Sequence, residues 1–161
     1  MDHPLRSPEE ILAYRPLKHI LGGKPRNLWS VSPADSALSA MRLMAEKDIG
    51  LVVVMERGTI VGVLSERDCV RKLELVGKSP AATTVADIMV GDVIKADVAS
   101  TFAECLKLMH EHRIRHLPVV ENGAPVGVIS VRDLLSETVA HHVKVIGELE
   151  RERMMMTTST A

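Results

Sequence analysis

The chain has 161 residues, a net charge of −1 and an apolar fraction of 46%, but only one Trp, one Tyr and one Phe. The balanced charge offers no basic surface for a phosphate backbone, and the scarcity of aromatic rings argues against stacking on single-stranded bases, so nucleic-acid binding is not expected. No window supplies the roughly 20 consecutive apolar residues of a membrane span, and the first residues lack the pattern of a signal peptide. The sequence therefore predicts a cytoplasmic protein that does not bind a membrane.

The first 27 residues predict a short helical arm. Ser7-Pro8-Glu9-Glu10 has the form of a capping box with proline at the first helical position, and Pro16 should end or kink the helix. The turn sequence Gly22-Gly23-Lys24-Pro25 then leads to a short β-type stretch at Leu28–Val31.

Residues 28–75 predict one β-α-β-β-α unit. Ser32-Pro33-Ala34-Asp35-Ser36 is typical of a helix start, and apolar residues follow it at helical spacing. Two continuous apolar runs, Ile49–Met55 and Ile60–Leu64, flank a turn and predict a hairpin that is buried on both faces. Ser65 then begins the closing helix.

The same unit returns at residues 85–143, after a linker at residues 76–84. Gly62–Asp68 recurs with two substitutions as Gly127–Asp133, and adding 65 to a position in the first copy gives its partner in the second. Val85–Met89 predicts a short helical turn at the start of the second copy. A gapless register over the whole unit is hard to obtain by chance, so the chain is a tandem repeat.

Each copy is too small to be comfortable as a separate domain, so we expect the two to pack sheet to sheet about a pseudo-twofold axis. Such packing would create two related clefts, each lined by residues of both copies. Residues 144–161 carry mixed charge followed by a run of methionines, which predicts a C-terminal helical extension and a flexible tail beginning at Met154.

Each copy of the repeated motif places a serine at a helix start and an aspartate three positions later. The two segments are Ser65-Glu66-Arg67-Asp68 and Ser130-Val131-Arg132-Asp133. Helix capping alone could explain the serine and the aspartate. Capping requires neither the same arginine nor an aspartate instead of a glutamate in both copies. We therefore interpret the segments as two copies of a small-ligand site, with capping alone as the alternative.

The pattern of cysteines and histidines in this chain does not predict a catalytic site. Cys69 and Cys105 lie far apart within predicted helices, so we expect buried thiols in place of a disulfide or redox pair. His110 and His112 are two residues apart and would point to different faces of a helix, and the arginines that follow would repel a cation, so no metal site is expected. No Ser/His/Asp or Cys/His set fits the repeat, and the sequence predicts a binding module and not an enzyme.

The repeated unit resembles the tandem cystathionine-β-synthase (CBS) domain pair, often called a Bateman module, of the small stand-alone bacterial type. The resemblance covers about Leu28–Leu73 and Val93–Val139, and its most specific parts are Gly62–Asp68 with Arg71-Lys72 and Arg113–Val120 with Gly127–Asp133. It implies an α/β (α+β) fold of two β-α-β-β-α repeats and ligands that contain adenosine, such as AMP, ATP, NAD(H) or S-adenosylmethionine. It also implies a homodimer that signals energy or redox state to a regulated protein of unknown identity. A module for protein interaction or dimerisation that needs no ligand is the alternative.

By this resemblance, Asp68 and Asp133 bind ribose, because an ionised carboxylate can accept from both ribose hydroxyls. Ser65 and Ser130 would add hydroxyl contacts. Main-chain groups can read a purine edge, so apolar residues suffice in the adenine pockets. These residues are Val63, Val128, Ile49 and Ile114. The candidate phosphate ligands are Arg67, Arg71, Lys72, Arg115, His116 and Arg132.

The resemblance also makes the two sites unequal. The Asp133 site would gain Ser32, Ala37 and Gly50, and the Asp68 site would gain Asp97, Phe102 and Ile114. Asp97 departs from the small hydroxyl residue often found in the family, and Arg71 and Lys72 add charge. The Asp68 site is therefore predicted to take a ligand with more phosphate, NAD(H) or ATP, and the Asp133 site to take AMP. A dimer contact is expected on the helical faces that carry Met41, Met44, Leu106 and Met109.

Overall fold

The computed structural model describes residues 17–22 and 28–158, and most of its elements occur twice in the same order. A short helix α1 (Leu17–Leu21) comes first. The first repeat contains β1 (Ser30–Val31), α2 (Ala37–Lys47), β2 (Leu51–Glu56), β3 (Thr59–Ser65) and α3 (Glu66–Lys72), followed by a 3-10 turn at Glu74–Val76. The second repeat contains α4 (Val85–Ile88), β4 (Ala96–Asp97), α5 (Phe102–Glu111), β5 (His116–Glu121), β6 (Ala124–Ser130) and α6 (Val131–Thr158). The helix predicted from Ser7 lies outside the described residues.

The strands form two three-stranded sheets of identical topology. In each sheet a short strand runs parallel to the first strand of an antiparallel hairpin. The registers also agree, because Val54 lies opposite Gly62 in one hairpin and Val119 lies opposite Gly127 in the other. The register shifts directly after each of these pairs. These sheets confirm the predicted tandem repeat and its mixed α and β class.

The two hairpin turns use the same backbone conformation. Arg57-Gly58 and Asn122-Gly123 have φ values of 49° and 80° and of 51° and 80°, respectively. Two successive positive φ values match the right-handed twist of the flanking strands, which explains a glycine at the second position of both turns. Strand β3 alternates between buried and partly exposed residues, so the hairpin is not buried on both faces as predicted. The partly exposed face of β3 includes residues that line a cleft described below.

A hydrophobic cluster joins the two sheets. Buried Leu51, Val53 and Ile60 of the first sheet pack in one cluster with Val120 and Val128 of the second. Removing such apolar surface from water stabilises the folded chain by about 25 cal/mol per Å². The sheets therefore pack against each other, as the small size of each repeat predicted.

Each repeat also receives a short helix from the segment that precedes the other. Leu17 of α1 is buried in the core of the second repeat, and Val85 of α4 is buried in the core of the first. The backbone N–H of Leu17 donates to the carbonyl of Ser100 (3.0 Å), and that of Val85 donates to the equivalent carbonyl of Asp35 (2.8 Å). The predicted boundary at residue 85 therefore assigns α4 to the second repeat, although α4 completes the core of the first.

Helix α6 is a single helix of 28 residues. Its first turns bury Leu134 in the second core, and its later apolar side chains are exposed. The predicted extension after residue 143 continues this helix, and Met154 belongs to it instead of beginning a frayed tail. Side-chain pairs four residues apart, such as Lys144 and Glu148 (3.9 Å), support a helix of this kind. None of the described helices is long and apolar enough to cross a membrane.

The two cysteines lie in separate cores, as predicted. Cys69 is buried in the first repeat and Cys105 in the second. Burial raises the pKa of each thiol to about 11, and nearby carboxylates contribute in the same direction. Because the thiolate is the reactive form, both thiols are poor nucleophiles at neutral pH.

The first glycine of each repeated motif allows the exchanged helices to pack closely. A Cβ atom on Gly62 would lie 2.6 Å from Sδ of Met89, directly after α4, and 3.2 Å from the carbonyl oxygen of Val90. Two backbone hydrogen bonds, of 3.0 and 2.8 Å, hold Val90 against β3 and prevent it from withdrawing. Among the described residues, a Cβ on Gly127 would meet only Cδ2 of Leu21, at 3.3 Å.

We therefore expect Gly62→Ala to lower the free energy of unfolding by about 1–3 kcal/mol, the usual cost of inserting a methyl group into a packed contact. The matched variant Gly127→Ala should cost less, because the neighbouring leucine methyl group can rotate away. Urea denaturation of both variants and the wild type measures the difference. Equal losses in the two variants would contradict this account of the packing.

Candidate functional site

Two clefts lie where the sheets meet, beside the starts of β2 and β5 and the connections β3–α3 and β6–α6. The larger, of about 650 Å³, contains Asp133 and is called the Asp133 cleft. The smaller, of about 320 Å³, contains Asp68 and is called the Asp68 cleft. Both repeats contribute to each cleft, so neither cleft would exist in an isolated repeat.

The Asp133 cleft brings together most of the residues predicted for it. They are Ile49, Gly50, Arg115, His116, Val128, Ser130, Arg132 and Asp133. Sequence reasoning missed Trp29, Asp48 and Glu66, which also line this cleft. The Nζ atom of Lys47 lies 4.5 Å from the centroid of the Trp29 ring, a cation–π contact that helps to orient the indole. The only Trp of the chain, next to the first strand, was the signal that could have indicated an aromatic wall.

The Asp68 cleft contains six of the residues predicted for it. They are Val63, Ser65, Arg67, Asp68, Arg71 and Ile114. Gly50, Arg115 and His116, which were predicted elsewhere or for either site, line this cleft as well. Asp92 and Arg113 were missed as cleft residues. Asp92 lies in an irregular segment between α4 and β4, where no periodic pattern indicates the direction of a side chain.

Four residues predicted from the starts of the two repeats do not line either cleft. Ala37 and Phe102 are buried in the two cores. The helices begin at these residues, after caps at Ser36 and Thr101, and their first turns face the core. Ser32, directly after β1, and Asp97, the last residue of β4, are both exposed.

Local hydrogen bonds hold both Ser32 and Asp97. The backbone N–H of Ser32 donates to Asp35 Oδ2 (2.8 Å), and Asp97 Oδ1 accepts from the N–H of Ala99 (2.9 Å). Lys72 also lies outside the clefts, because its Nζ donates to the carbonyl of Ile88 (2.6 Å). The predicted extra room beside Asp97 is therefore not part of the Asp68 cleft.

The repeated serine and aspartate form a helix cap in both copies. Asp133 Oδ2 accepts from the backbone N–H and from the hydroxyl of Ser130, both at 2.8 Å, and Ser130 Oγ accepts from the N–H of Asp133 (3.2 Å). Ser65 and Asp68 make the same three bonds. The capping box of Thr84 and Asp87 lines neither of these two clefts, so an aspartate at this position of a cap does not by itself indicate a ligand.

Charge distinguishes the two clefts. The Asp68 cleft is lined by four arginines (Arg67, Arg71, Arg113 and Arg115) and three carboxylates (Glu66, Asp68 and Asp92). The Asp133 cleft is lined by two arginines (Arg115 and Arg132) and three carboxylates (Asp48, Glu66 and Asp133). The smaller cleft is therefore the more basic one, and it is better suited to a compact group of high negative charge.

His116 lies between the clefts and lines both of them. Burial lowers the pKa of His116 below its ordinary value of 6.5, and the neighbouring charge of Arg115 lowers it further. Asp133 and Glu66 act in the opposite direction without reversing the shift. The imidazole is therefore neutral at pH 7, when it can donate one hydrogen bond and accept another.

The three histidines considered in the sequence as a cluster are spread over different elements. His110 and His112 are exposed on or beside α5, and His116 lies apart from them at the start of β5. Within residues 17–22 and 28–158, no group of three or more His, Cys, Asp or Glu side chains is placed to hold a metal ion.

A family model described as CBS domain matches residues 25–75 and 85–140. The structure is also similar to that of a protein with CBS domains from Burkholderia ambifaria, with a TM-score of 0.76 and 39% sequence identity. That likeness covers 78% of this chain and 95% of the other.

Two relatives match over most of this chain but over less of their own length. The CBS domain-containing protein CBSX3, mitochondrial, of Arabidopsis thaliana is 30% identical over 120 residues, which are 71% of this chain and 58% of the relative. The inosine-5'-monophosphate dehydrogenase of Thermoplasma acidophilum is 33% identical over 112 residues, which are 69% of this chain and 22% of the dehydrogenase. The chain thus spans less than three fifths of either relative.

The lowered pKa of His116 predicts a pH dependence of stability. As the pH falls below about 6.5, the unfolded chain binds a proton at this histidine before the folded protein does, so stability is lost towards low pH. His116→Leu introduces the residue that stands at the equivalent position, Leu51, and should reduce the fall in melting temperature between pH 7 and pH 5. His110→Gln, at an exposed position, controls for the removal of an imidazole. The same fall in His116→Leu and in wild type would contradict the prediction.

Proposed function

Because the chain belongs to the CBS domain family, we propose that it is a regulatory module that binds adenine nucleotides in its two clefts and signals their level to another protein. The observation that carries this proposal is the placement of the doubled Ser-x-Arg-Asp motif. Each copy lines a different cleft, and each cleft combines an aspartate with at least two arginines. An adenosine phosphate needs both an acceptor for its ribose hydroxyls and cations for its phosphates.

In the Asp133 cleft, the ribose hydroxyls donate to the Asp133 carboxylate, which its bonds to Ser130 hold in place. Ile49 and Val128 offer apolar contacts to the adenine. Trp29 provides an aromatic face that the sequence reasoning did not include. Arg115 and Arg132 supply the positive charge for phosphate.

Cleft volume changes the predicted assignment of ligands. The Asp68 cleft is about half as large as the Asp133 cleft, at about 320 Å³ against about 650 Å³, so it does not offer the larger space for a dinucleotide. Its four arginines favour a compact ligand rich in phosphate, and we assign it ATP. The Asp133 cleft takes AMP or, because of its greater volume, NAD(H).

The match to inosine-5'-monophosphate dehydrogenase covers only 22% of that enzyme, so its catalytic activity is no part of this proposal. The regulated protein is a separate partner of unknown identity. A ligand-independent interaction module remains the second candidate function, and the exposed apolar surface of α6 favours it.

The apolar surface available for dimerisation differs in part from the predicted one, of which Leu106 is exposed and Met41 half-buried. Met44 and Met109 are 2% and 3% exposed, because they fill the two cores, and they cannot form a contact between copies. Helix α6 instead carries a stripe of aliphatic residues that are 49–65% exposed, at intervals of three or four residues. They are Leu135, Val139, Val143, Ile146 and Leu149.

We infer that a second copy of the chain covers this stripe. A twofold interface uses the same patch on both copies, and a continuous stripe on one helix can pair with itself in antiparallel fashion. If the two α6 helices paired in parallel, Arg153, which follows Leu149 at helical spacing, would lie next to Arg153 of the second copy. The antiparallel arrangement separates these charges.

Fluorescence of Trp29 should report nucleotide binding in the Asp133 cleft, because this only Trp of the chain lines that cleft and not the Asp68 cleft. AMP or NAD+ should change the emission, and Asp133→Asn should weaken the affinity by roughly 10- to 150-fold, the loss of about 1.5–3 kcal/mol expected for a hydrogen bond to a charged group. Asp87→Asn is the matched control, since Asp87 caps a helix in the same way outside the clefts. It should leave the affinity unchanged.

Saturating ligand, at about a hundred times its dissociation constant, should also stabilise the fold by about 2.7 kcal/mol. If AMP, ATP and NAD+ change neither the emission nor the melting temperature of the folded protein, the ligand-independent interaction module is the better account. A guanine nucleotide serves as the comparison ligand.

The dimer can be tested on α6 itself. Wild-type protein should have the mass of a dimer in light scattering at micromolar concentration, and Ile146→Glu should have the mass of a monomer, because a carboxylate in the middle of the stripe would be buried without a partner. Ala140→Glu introduces the same charge on a different, exposed side of the helix and should remain dimeric. A monomeric wild type, or a dimeric Ile146→Glu, would exclude this interface.

A further inference from the structure

The two clefts have one wall in common. Five residues line both of them, and we call these residues the shared wall: Gly50, Leu51, Glu66, Arg115 and His116. A ligand group that reaches the shared wall from one cleft therefore approaches the other cleft. The two sites are neighbours and not distant copies.

The shared wall breaks the symmetry of the repeat. Adding 65 to the positions of the first repeat pairs Gly50 with Arg115, Leu51 with His116 and Glu66 with Val131. The second repeat thus supplies two basic side chains to the wall, and the first repeat supplies one acidic side chain. Glu66 is the one carboxylate among the described residues that lines both clefts.

The backbone holds these groups close together. The N–H of Glu66 donates to the carbonyl of Gly50 (3.2 Å), and the N–H of Val131 donates to the carbonyl of Arg115 (3.0 Å). A Cβ atom on Gly50 would lie 3.3 Å from Cε1 of His116 and 3.6 Å from Oε2 of Glu66. The absence of a side chain at Gly50 therefore lets the carboxylate and the imidazole occupy the same small region.

This arrangement limits how much negative charge the shared wall can accept. A phosphate chain that enters from one cleft pairs with Arg115 and can accept a hydrogen bond from His116. A second phosphate chain that enters from the other cleft then finds Arg115 and His116 already bound to the first. It also lies close to two negative groups, the first phosphate chain and the Glu66 carboxylate. Like charges brought together on one wall repel each other, and because Glu66 and Arg115 are exposed, this repulsion should weaken as the salt concentration rises.

We propose that the two clefts bind polyphosphate ligands antagonistically and that Glu66 sets the strength of this antagonism. The inference rests on the proposed binding of adenine nucleotides and adds how the two sites influence each other. A ligand with a single phosphate brings less charge to the wall, so two molecules of AMP are tolerated better than two of ATP. The module then responds to the kind of nucleotide and not only to its concentration.

Calorimetric titration with ATP and with AMP tests the proposal. ATP should bind the Asp133 cleft of wild-type protein, in which the Asp68 cleft is filled first, at least about tenfold more weakly than it binds the same cleft of Asp68→Asn, in which the Asp68 cleft stays empty. AMP should show a smaller difference. Glu66→Gln removes the charge with little change of shape, and Glu66→Val introduces the residue that the second repeat carries at this position. Both variants should reduce the ratio of the two ATP dissociation constants to about threefold or less. Glu74→Gln, outside both clefts, is the control and should keep the wild-type ratio.

Emission from Trp29 during the same titrations identifies the step that fills the Asp133 cleft. An ATP affinity of the Asp133 cleft that is the same in wild type and in Asp68→Asn, or a ratio of these dissociation constants that Glu66→Gln leaves unchanged, would overturn the antagonism while the proposed nucleotide binding stands. Absence of heat and of any melting-temperature shift with both nucleotides would overturn the proposed function and this inference together.

Discussion

The packing of one sheet against the other is the contact on which the rest of the structure depends. Each sheet has only three strands, and a repeat of this size cannot bury enough apolar surface alone. Leu51, Val53 and Ile60 therefore find their cover on the other sheet, and α1 and α4 each complete the core of the repeat that they do not precede. Because the repeats cannot separate without exposing these cores, the clefts between them are as stable as the fold itself.

The tandem repeat would produce two identical clefts if every pair of equivalent residues matched. The two copies instead differ at most of their equivalent positions, in the cores as well as beside the clefts. In the alignment of the two repeats, Gly50 is equivalent to Arg115, and Glu66 is equivalent to Val131. Some buried positions, such as Val54 and Val119, keep their residue type, but others change, as Ala37 and Phe102 do. The same order of strands and helices thus accommodates different side chains both in the two cores and in the two clefts.

The sequence predicted the repeat, its register and the packing of the two sheets, because the doubled motif and the apolar runs can be recognised in the sequence itself. The motif residues reached the clefts for the same reason. Ala37 and Phe102 did not, because the repeat establishes which positions are equivalent but not which side of a helix start faces a ligand. The exchange of α1 and α4 could not be predicted either, since a helix of four or five residues carries no periodicity that indicates which core receives it.

The capping and ligand-binding interpretations of the repeated motif are not alternatives. The bonds from Ser130 to Asp133 Oδ2 stabilise the start of α6, and they also fix the orientation of the carboxylate before any ligand arrives. An acceptor that is already oriented loses less conformational freedom on binding, so the cap favours recognition. Thr84 and Asp87 form the same kind of box outside both clefts. The motif therefore becomes a candidate site only where the packing of the two sheets opens a cleft next to the cap.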